Sequence, residues 1–236
     1  MSISFTVSEW SGWTSVPIKG LEGSSQLTFS DSPDVQNIPP MLRRRLNLLG
    51  RACASEILQH CAKDDDIPLV YASRHGDIER TLSVLQELAL EQPVSPMNFS
   101  LAVHNAICGV VSIHQGLKGN ISTIAASNGL VPALLEACGL IEEGNDRVLC
   151  IICDTSTPEI YRDRHEAVEQ PFACCFIVTK GNALNLEMIP NASKQIPDDN
   201  TPFLNYSALR FGAFLNSTST SASLPHNNQH WMISKN

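Results

Sequence analysis

The chain has 236 residues, of which 43% are hydrophobic and 17% charged, and a formal net charge of −8. That length buries a sizeable core in one large domain or at most two small ones, and the composition excludes a disordered chain. The negative balance argues against nucleic-acid binding through phosphate contacts and against direct docking of an acidic carrier protein, and no apolar run nears the roughly 20 residues of a membrane-spanning helix.

The opening "MSISFTVSEWSGW" has no basic segment followed by an apolar one, so no signal peptide is expected and a cytoplasmic location is inferred. "ISFTVSEW" reads as a strand, followed by a polar loop rich in Gly and Ser up to Pro40. In "PPMLRRRLNLLGRACASEILQHCAK", Leu42, Leu46, Leu49, Cys53, Ile57 and Cys61 recur at three- and four-residue steps, which predicts one helix begun by Pro39 and Pro40. Arg43, Arg44 and Arg45 read as its solvated face.

"IPLVYAS" follows as a strand, then "RHGDIERTLSVLQELAL" as a helix capped by Asp77, with Ile78, Leu82, Leu85 and Ala89 on one side. "VSPMNFSLAVHNAICGVVSIHQGLKG" breaks at Ser-Pro and continues as a helix apolar on nearly every face, which predicts burial. "NISTIAASNGLVPALLEACGLI" is a strand, a tight turn and a helix, the last with Leu130, Ala133, Leu134, Ala137 and Ile141 in phase. "DRVLCIICD", "PFACCFIVTK" and "ALNLEMIP" supply further strands. Residues 1–215 are expected to form the domain, and 216–236 a loose polar tail anchored by Trp231.

Strands alternating with helices predict an α/β fold with helices on both faces of a mixed sheet. The eight cysteines read as small buried hydrophobes. Cys150 and Cys153 form a CxxC with no turn to wrap a metal, and adjacent Cys174 and Cys175 should face opposite sides of a strand. No metal or cofactor is expected.

Taken in order, "LRRRLNLLGR", "VYASRHGDIERTLSVLQELA", "VSPMNFSLAVHNAICGVVSI" and "RVLCIICDTSTPEIY" resemble the β-ketoacyl synthase family over most of residues 40–180. "SPMNFSLAVHNAICG" is the most specific piece. The resemblance narrows to short proteins with a ketosynthase-like N-terminal domain described as chain length factors, including those of aryl polyene pathways. It implies a thiolase-like layered α/β/α fold corresponding to the N-terminal half of a ketosynthase.

In catalytic members a Cys stands at the helix N-terminus of the strand-turn-helix elbow, where helix-end N–H groups favour the thiolate. By resemblance that position is Ser127, so the elbow is present and its thiol is absent. The family's His and Lys motifs are expected beyond this chain's last residue, and His165, His226 and His230 lie in contexts unlike them. Ser127 is read first as a helix cap. The alternative makes it the nucleophile of an acyltransferase or thioesterase with His104 or His165 as base, although the G-x-S-x-G pattern is missing. Pro132 is expected to remove a first-turn hydrogen bond or delay the helix. His75, His104 and Asn105 are read as structural polar groups before catalytic ones. Asp154, Thr157 and Pro158 sit just past a strand end, a common ligand position, and are read as turn chemistry first.

The resemblance further implies a non-catalytic subunit that forms a heterodimer with a full-length β-ketoacyl-ACP synthase, the acyl carrier protein docking through that partner. The strand Ile121, Ser122, Thr123, Ile124 and Ala125 would pair across the interface. Met97, Asn98, Phe99 and Ala102 would line the partner's acyl channel, a role for which ordinary core packing of Met97 and Phe99 is the alternative. A homodimer that binds a fatty acyl group is a third possibility.

Overall fold

The runs "PFACCFIVTK" and "ALNLEMIP", expected as separate strands, are one: β6 spans Phe172–Ile189. In the computed structural model, which describes residues 2–18, 21, 23–161, 170–190, 207–226 and 229–236, the sheet is arranged around it. β1 (Ser2–Thr14) and β5 (Arg147–Asp154) flank β6 on its two sides, both antiparallel. β2 (Leu27–Phe29) joins β1 in parallel, and β3 (Leu69–Ser73) and β4 (Ile121–Ala125) continue from β5 in parallel. The order is β2-β1-β6-β5-β3-β4, a mixed sheet as expected.

Both faces of the central strands are covered, which is why they read as unbroken apolar runs. On β6, Phe172, Cys174, Phe176 and Val178 enter one core while Ala173, Cys175 and Ile177 enter the other. β5 alternates likewise, Val148, Cys150 and Ile152 against Leu149, Ile151 and Cys153. Adjacent Cys174 and Cys175 therefore do face opposite sides, and Cys150 and Cys153 never approach a common site. All eight cysteines are free.

α2 (Leu48–His60) and α5 (Ala106–Gln115) cover one face, α6 (Leu130–Glu142) and α7 (Ser207–Asn216) the other. The first expected helix is divided: α1 (Pro40–Arg43) ends after one turn, and α2 begins anew at an Asn47 cap whose side chain accepts from the Gly50 N–H at 3.0 Å. The periodicity survives the break because Leu46 is buried in the connection. α3 (Ile78–Ala89) starts on Asp77 as expected, yet only Val84 is buried along it.

The helix expected after Ser95 is also two pieces. α4 (Pro96–Ser100) buries no residue, and α5 buries Ile107, Cys108, Val111 and Ser112 while Ile113 is 83% exposed. Expected burial on every face thus fails, as does core packing for Met97 and Phe99, which are exposed. Among the described residues, no helix is long and apolar enough to cross a membrane.

The loose tail is the largest correction. β7 (Ser221–His226) and β8 (Gln229–Lys235) form an antiparallel pair, and β8 continues the sheet on the second half of β6. Alternation explains it: Leu224, Trp231 and Ile233 point into the core while Met232 and Ser234 lie between them. The many Ser and Thr residues hide a period of two that only a few apolar side chains mark. Trp231→Ala should therefore destabilise the whole protein by about 3–5 kcal/mol, the usual cost of truncating a buried aromatic, read as a lower urea midpoint; an unchanged midpoint would return these residues to the role of a tail.

Candidate functional site

The site lies at the C-terminal ends of the parallel strands β3, β4 and β5, where their register brings the following loops together. Past β4 the chain turns sharply: the Ala126 N–H donates to the Ser73 carbonyl at 3.2 Å, Ser127 is exposed, and Gly129 is the N-cap of α6. Gly129 is needed here because a Cβ would stand 2.8 Å from that of Ala72, so any side chain would push α6 off the sheet.

Ser127 is not the cap expected of it. It precedes the first helical residue by three, and the Asn128 side chain instead accepts from the Leu130 N–H at 3.3 Å. Pro132, the third helical residue, interrupts nothing, since N–H groups in the first turn have no intrahelical acceptor. The first α-helical bond, from the Ala133 N–H to the Gly129 carbonyl at 3.0 Å, follows it.

The turn is held from β3. Arg74 Nη2 donates to the Ser127 carbonyl at 2.8 Å, and the Arg74 backbone N–H donates to Asp154 Oδ1 at 2.7 Å. Ser73 donates to the same oxygen at 3.0 Å and accepts from the Gly76 N–H at 2.9 Å. Gly76 has a φ of +59°, and a Cβ there would meet the His104 backbone at 3.1 Å, so both conformation and space require glycine. His104 Nε2 is 3.0 Å from the Ser73 carbonyl, which fixes the proton on Nε2 because a carbonyl only accepts. Its ring also lies edge-on to Tyr71. That contact draws the chain towards β3 and accounts for the break between α4 and α5.

A second polar link reaches α4. Asp77 accepts from Asn47 Nδ2 at 2.7 Å and pairs with Arg80 at 2.9 Å. Arg80 in turn donates to Asn98 Oδ1 at 3.3 Å and to the Arg45 carbonyl at 2.9 Å. Asn98 is thus held half-buried while its neighbours Met97 and Phe99 project outward.

Of the expected site residues, Ser127, His104 and Asp154 come together around Ser73 and Arg74. Asn105, expected inside the core, is exposed at the start of α5; Thr157 is buried and Pro158 half-buried. His165 lies outside the described residues. Two partners had no signature in the sequence: Ser207, which donates to Asn128 Oδ1, and His226, which hydrogen-bonds the Asn128 backbone. Burial lowers the His226 pKa and that bond opposes the shift. Among the described residues no group of three His, Cys, Asp or Glu side chains is placed to hold a metal ion.

On β4, Ile121, Thr123 and Ala125 are exposed and Ser122 and Ile124 half-buried, and among the described strands β3 alone pairs with it. No described strand pairs its outer edge, which leaves a row of backbone donors and acceptors there for a partner strand.

Asp154 sets the pH behaviour of the network. Burial pushes its carboxyl up to about 6 against the ordinary 3.8, although the bonds from Arg74 and Ser73 and the Arg74 charge oppose the shift. The folded state therefore holds a proton that the unfolded chain has released between about pH 4 and 6. Stability is greatest below that window, falls as pH rises through it and is level above. Asp154→Asn keeps an acceptor and abolishes the titration, so the stability of the natural chain relative to this variant should fall by about 2.4 kcal/mol between pH 4 and pH 7; urea midpoints that stay parallel would contradict it.

Several solved structures share this fold. The ketosynthase (ApeO) in complex with its chain length factor (ApeC) from Xenorhabdus doucetiae matches with a TM-score of 0.77 at 21% identity, over 99% of this chain and 100% of that one. The ishigamide ketosynthase/chain length factor matches with a TM-score of 0.59 at 15% identity, over 79% and 67% of the two chains. No curated protein matches. These likenesses establish the thiolase-like layered fold. Residues 10–233 match the beta-ketoacyl synthase, N-terminal domain family, to which this chain belongs.

Proposed function

We propose that this protein is a chain-length-factor-like subunit, non-catalytic in condensation, that pairs with a full-length β-ketoacyl-ACP synthase and shapes its acyl channel. The pathway is of fatty acid or polyketide type, with aryl polyene synthesis the first to examine. The observation that carries this reading is the run from α4 to β4, in which Met97, Phe99, Val103, Ile113 and Ile121 are exposed and lead to a strand edge that no described strand pairs. Apolar side chains and an open edge of this kind call for a partner.

The elbow supports the same reading from the chemical side. A ketosynthase elbow holds a thiolate, whereas here a hydroxyl stands at the corresponding position and the His104 Nε2 proton is spent on a backbone carbonyl. A base must accept a proton, so His104 does not serve Ser127 through that nitrogen. The solved neighbours of high coverage are named as pairs of a ketosynthase with a chain length factor, and pairing of a non-catalytic chain with a catalytic one agrees with both features. Met97, Asn98, Phe99 and Ala102 are then the residues that limit chain growth, with Asn98 fixed by Arg80. Ile121–Ala125 would extend the sheet across the interface. The net charge of −8 would leave docking of the acidic carrier to the partner.

Co-expression of the tagged chain with a full-length β-ketoacyl-ACP synthase from the same source should give a one-to-one heterodimer by native mass, and Phe99→Glu should weaken it at least tenfold. Within the intact pair, Phe99→Ala should lengthen the products. A stable homo-oligomer or monomer that ignores the ketosynthase would overturn the proposal.

A further inference from the structure

A second constellation of reactive groups lies between β1 and the last turn of α2, and it uses none of the elbow residues. Glu9 and Ser11 are two apart on one strand and so face the same side. Glu56 and His60 are four apart on one helix and share a face. The Ser11 hydroxyl is 2.8 Å from His60 Nε2, His60 Nδ1 is 3.2 Å from Glu9 Oε2, and Glu56 Oε2 hydrogen-bonds the Ser11 hydroxyl. A hydroxyl on an imidazole, and that imidazole on a carboxylate, is the geometry of an activated serine, recognised by roles rather than by fold.

We propose that Ser11, His60, Glu9 and Glu56 form a serine nucleophile site that takes small, uncharged acyl esters. Ser11 Oγ attacks the ester carbonyl and gives its proton to His60 Nε2, while Glu9 holds the Nδ1 proton. The carbonyl electron pair moves to oxygen, where the protonated Glu56 carboxyl donates a hydrogen bond. Collapse breaks the ester C–O bond, and the leaving oxygen takes the proton from His60 Nε2. Water then attacks the Ser11 ester with His60 again as base, releasing the carboxylic acid and restoring the hydroxyl.

The hydrogen bonds count correctly for this assignment. The Ser11 hydroxyl donates to Glu56 Oε2 when that carboxyl is ionised; when it is protonated the bond reverses, Ser11 turns its proton to His60 Nε2, and the Nδ1 proton serves Glu9, so every donor has an acceptor. Once Glu56 ionises, Ser11 turns its proton to that carboxylate and leaves His60. Glu56 is 4% exposed, and burial pushes its carboxyl up to about 7 while the Ser11 bond opposes this. The groups around it are Ser11 and Glu9 on β1, Cys53 and His60 on α2, and Cys174 and Cys175 on β6; burial keeps these three thiols neutral. Holding a carboxylic acid protonated so that it can donate is an established way to stabilise an oxyanion.

Access and charge indicate the substrate. Glu9 is exposed and Ser11 half-buried, and among the described residues the edge of β1 away from β6 pairs with β2 only from Gly12 onward. A small molecule therefore approaches Ser11 from the sheet edge. The exposed acidic Glu9 disfavours an anionic acyl donor.

The full-length chain is treated with 4-nitrophenyl acetate and, separately, with a fluorophosphonate, and the adduct is mapped by mass spectrometry. The label should fall on the peptide that carries Ser11. His60→Ala should slow acetylation at least 100-fold and the exposed Glu9→Gln about tenfold, in line with loss of a general base and of its orienting carboxylate. Removing Ser11 leaves Glu56 buried without its hydroxyl and can unfold the chain, so Glu56→Gln carries the decisive arm. Its amide donates a weaker bond to the oxyanion, so the rate below pH 7 should fall about tenfold while the decline above pH 7 seen for the natural chain disappears. Absence of label on folded protein, label at Ser127 or elsewhere, or a Glu56→Gln pH profile identical to that of the natural chain would each overturn the proposal.

Discussion

The burial of β6 on both faces is the constraint on which the rest of the molecule depends. From Phe172 to Val178 it offers no side chain to water, so two helical layers must cover it and both neighbouring strands must pair with it in full. β1 takes one edge and β5 the other. Because successive strands keep register, the position of Asp154 opposite Phe172 fixes where β5 ends, and the pairing of β3 with β5 then fixes Ser73 beside it. The elbow after β4 is the last consequence of this chain of registers. β6 also outruns β5, whose pairing ends at Thr179, and its remaining length is the template on which β8 pairs.

At the strand ends the sheet gives way to buried polar groups, and each must be satisfied where it lies. Asp154 does this for several at once by accepting from both Ser73 and Arg74. The cost is a carboxylate held in a poor solvent, seen in its raised pKa. What it secures is geometric: Arg74 is fixed through its backbone, its guanidinium reaches the Ser127 carbonyl, and the elbow is held without help from a helix cap. An enzyme of this architecture would direct the same precision at a thiolate. On the proposed reading, the fixed turn supports the position of β4 and α6.

The sequence made β3, β4, β5 and α6 legible because burial there is symmetrical or strongly phased. Leu130, Ala133, Leu134, Ala137 and Ile141 mark a stripe that the structure buries as written. Helix breaks were less legible, since Leu42, Leu46 and Leu49 keep helical phase across a connection whose only sign is Asn47, one polar residue among many. Between α4 and α5 the break depends on His104 meeting Ser73 and Tyr71, residues some thirty positions away. Composition misled most at the C-terminal end, where serines and threonines occupy the solvent side of a hairpin and resemble a linker. The cluster at Ser11 was invisible for a related reason: Glu9 and Ser11 meet Glu56 and His60 only once β1 is laid under α2.

The distribution of exposed apolar groups bears on why a fold of this kind would keep an elbow it does not use for thiol chemistry. Both cores close without Met97, Phe99, Val103, Ile113 or Ile121, so these side chains contribute little to folding the lone chain. Their exposure carries a standing solvation cost and invites unspecific association. Such a cost is tolerable when burial against a partner recovers it, at about 25 cal/mol per Å² of apolar surface. The tight turn between β4 and α6 holds the bare strand edge in fixed relation to the sheet, and the Arg80–Asn98 bond holds α4 near α3. Preorganisation of both removes part of the ordering entropy from the association step. On the proposed reading, the polar network inherited with the elbow therefore serves binding, by presenting one rigid face to the subunit that performs the condensation.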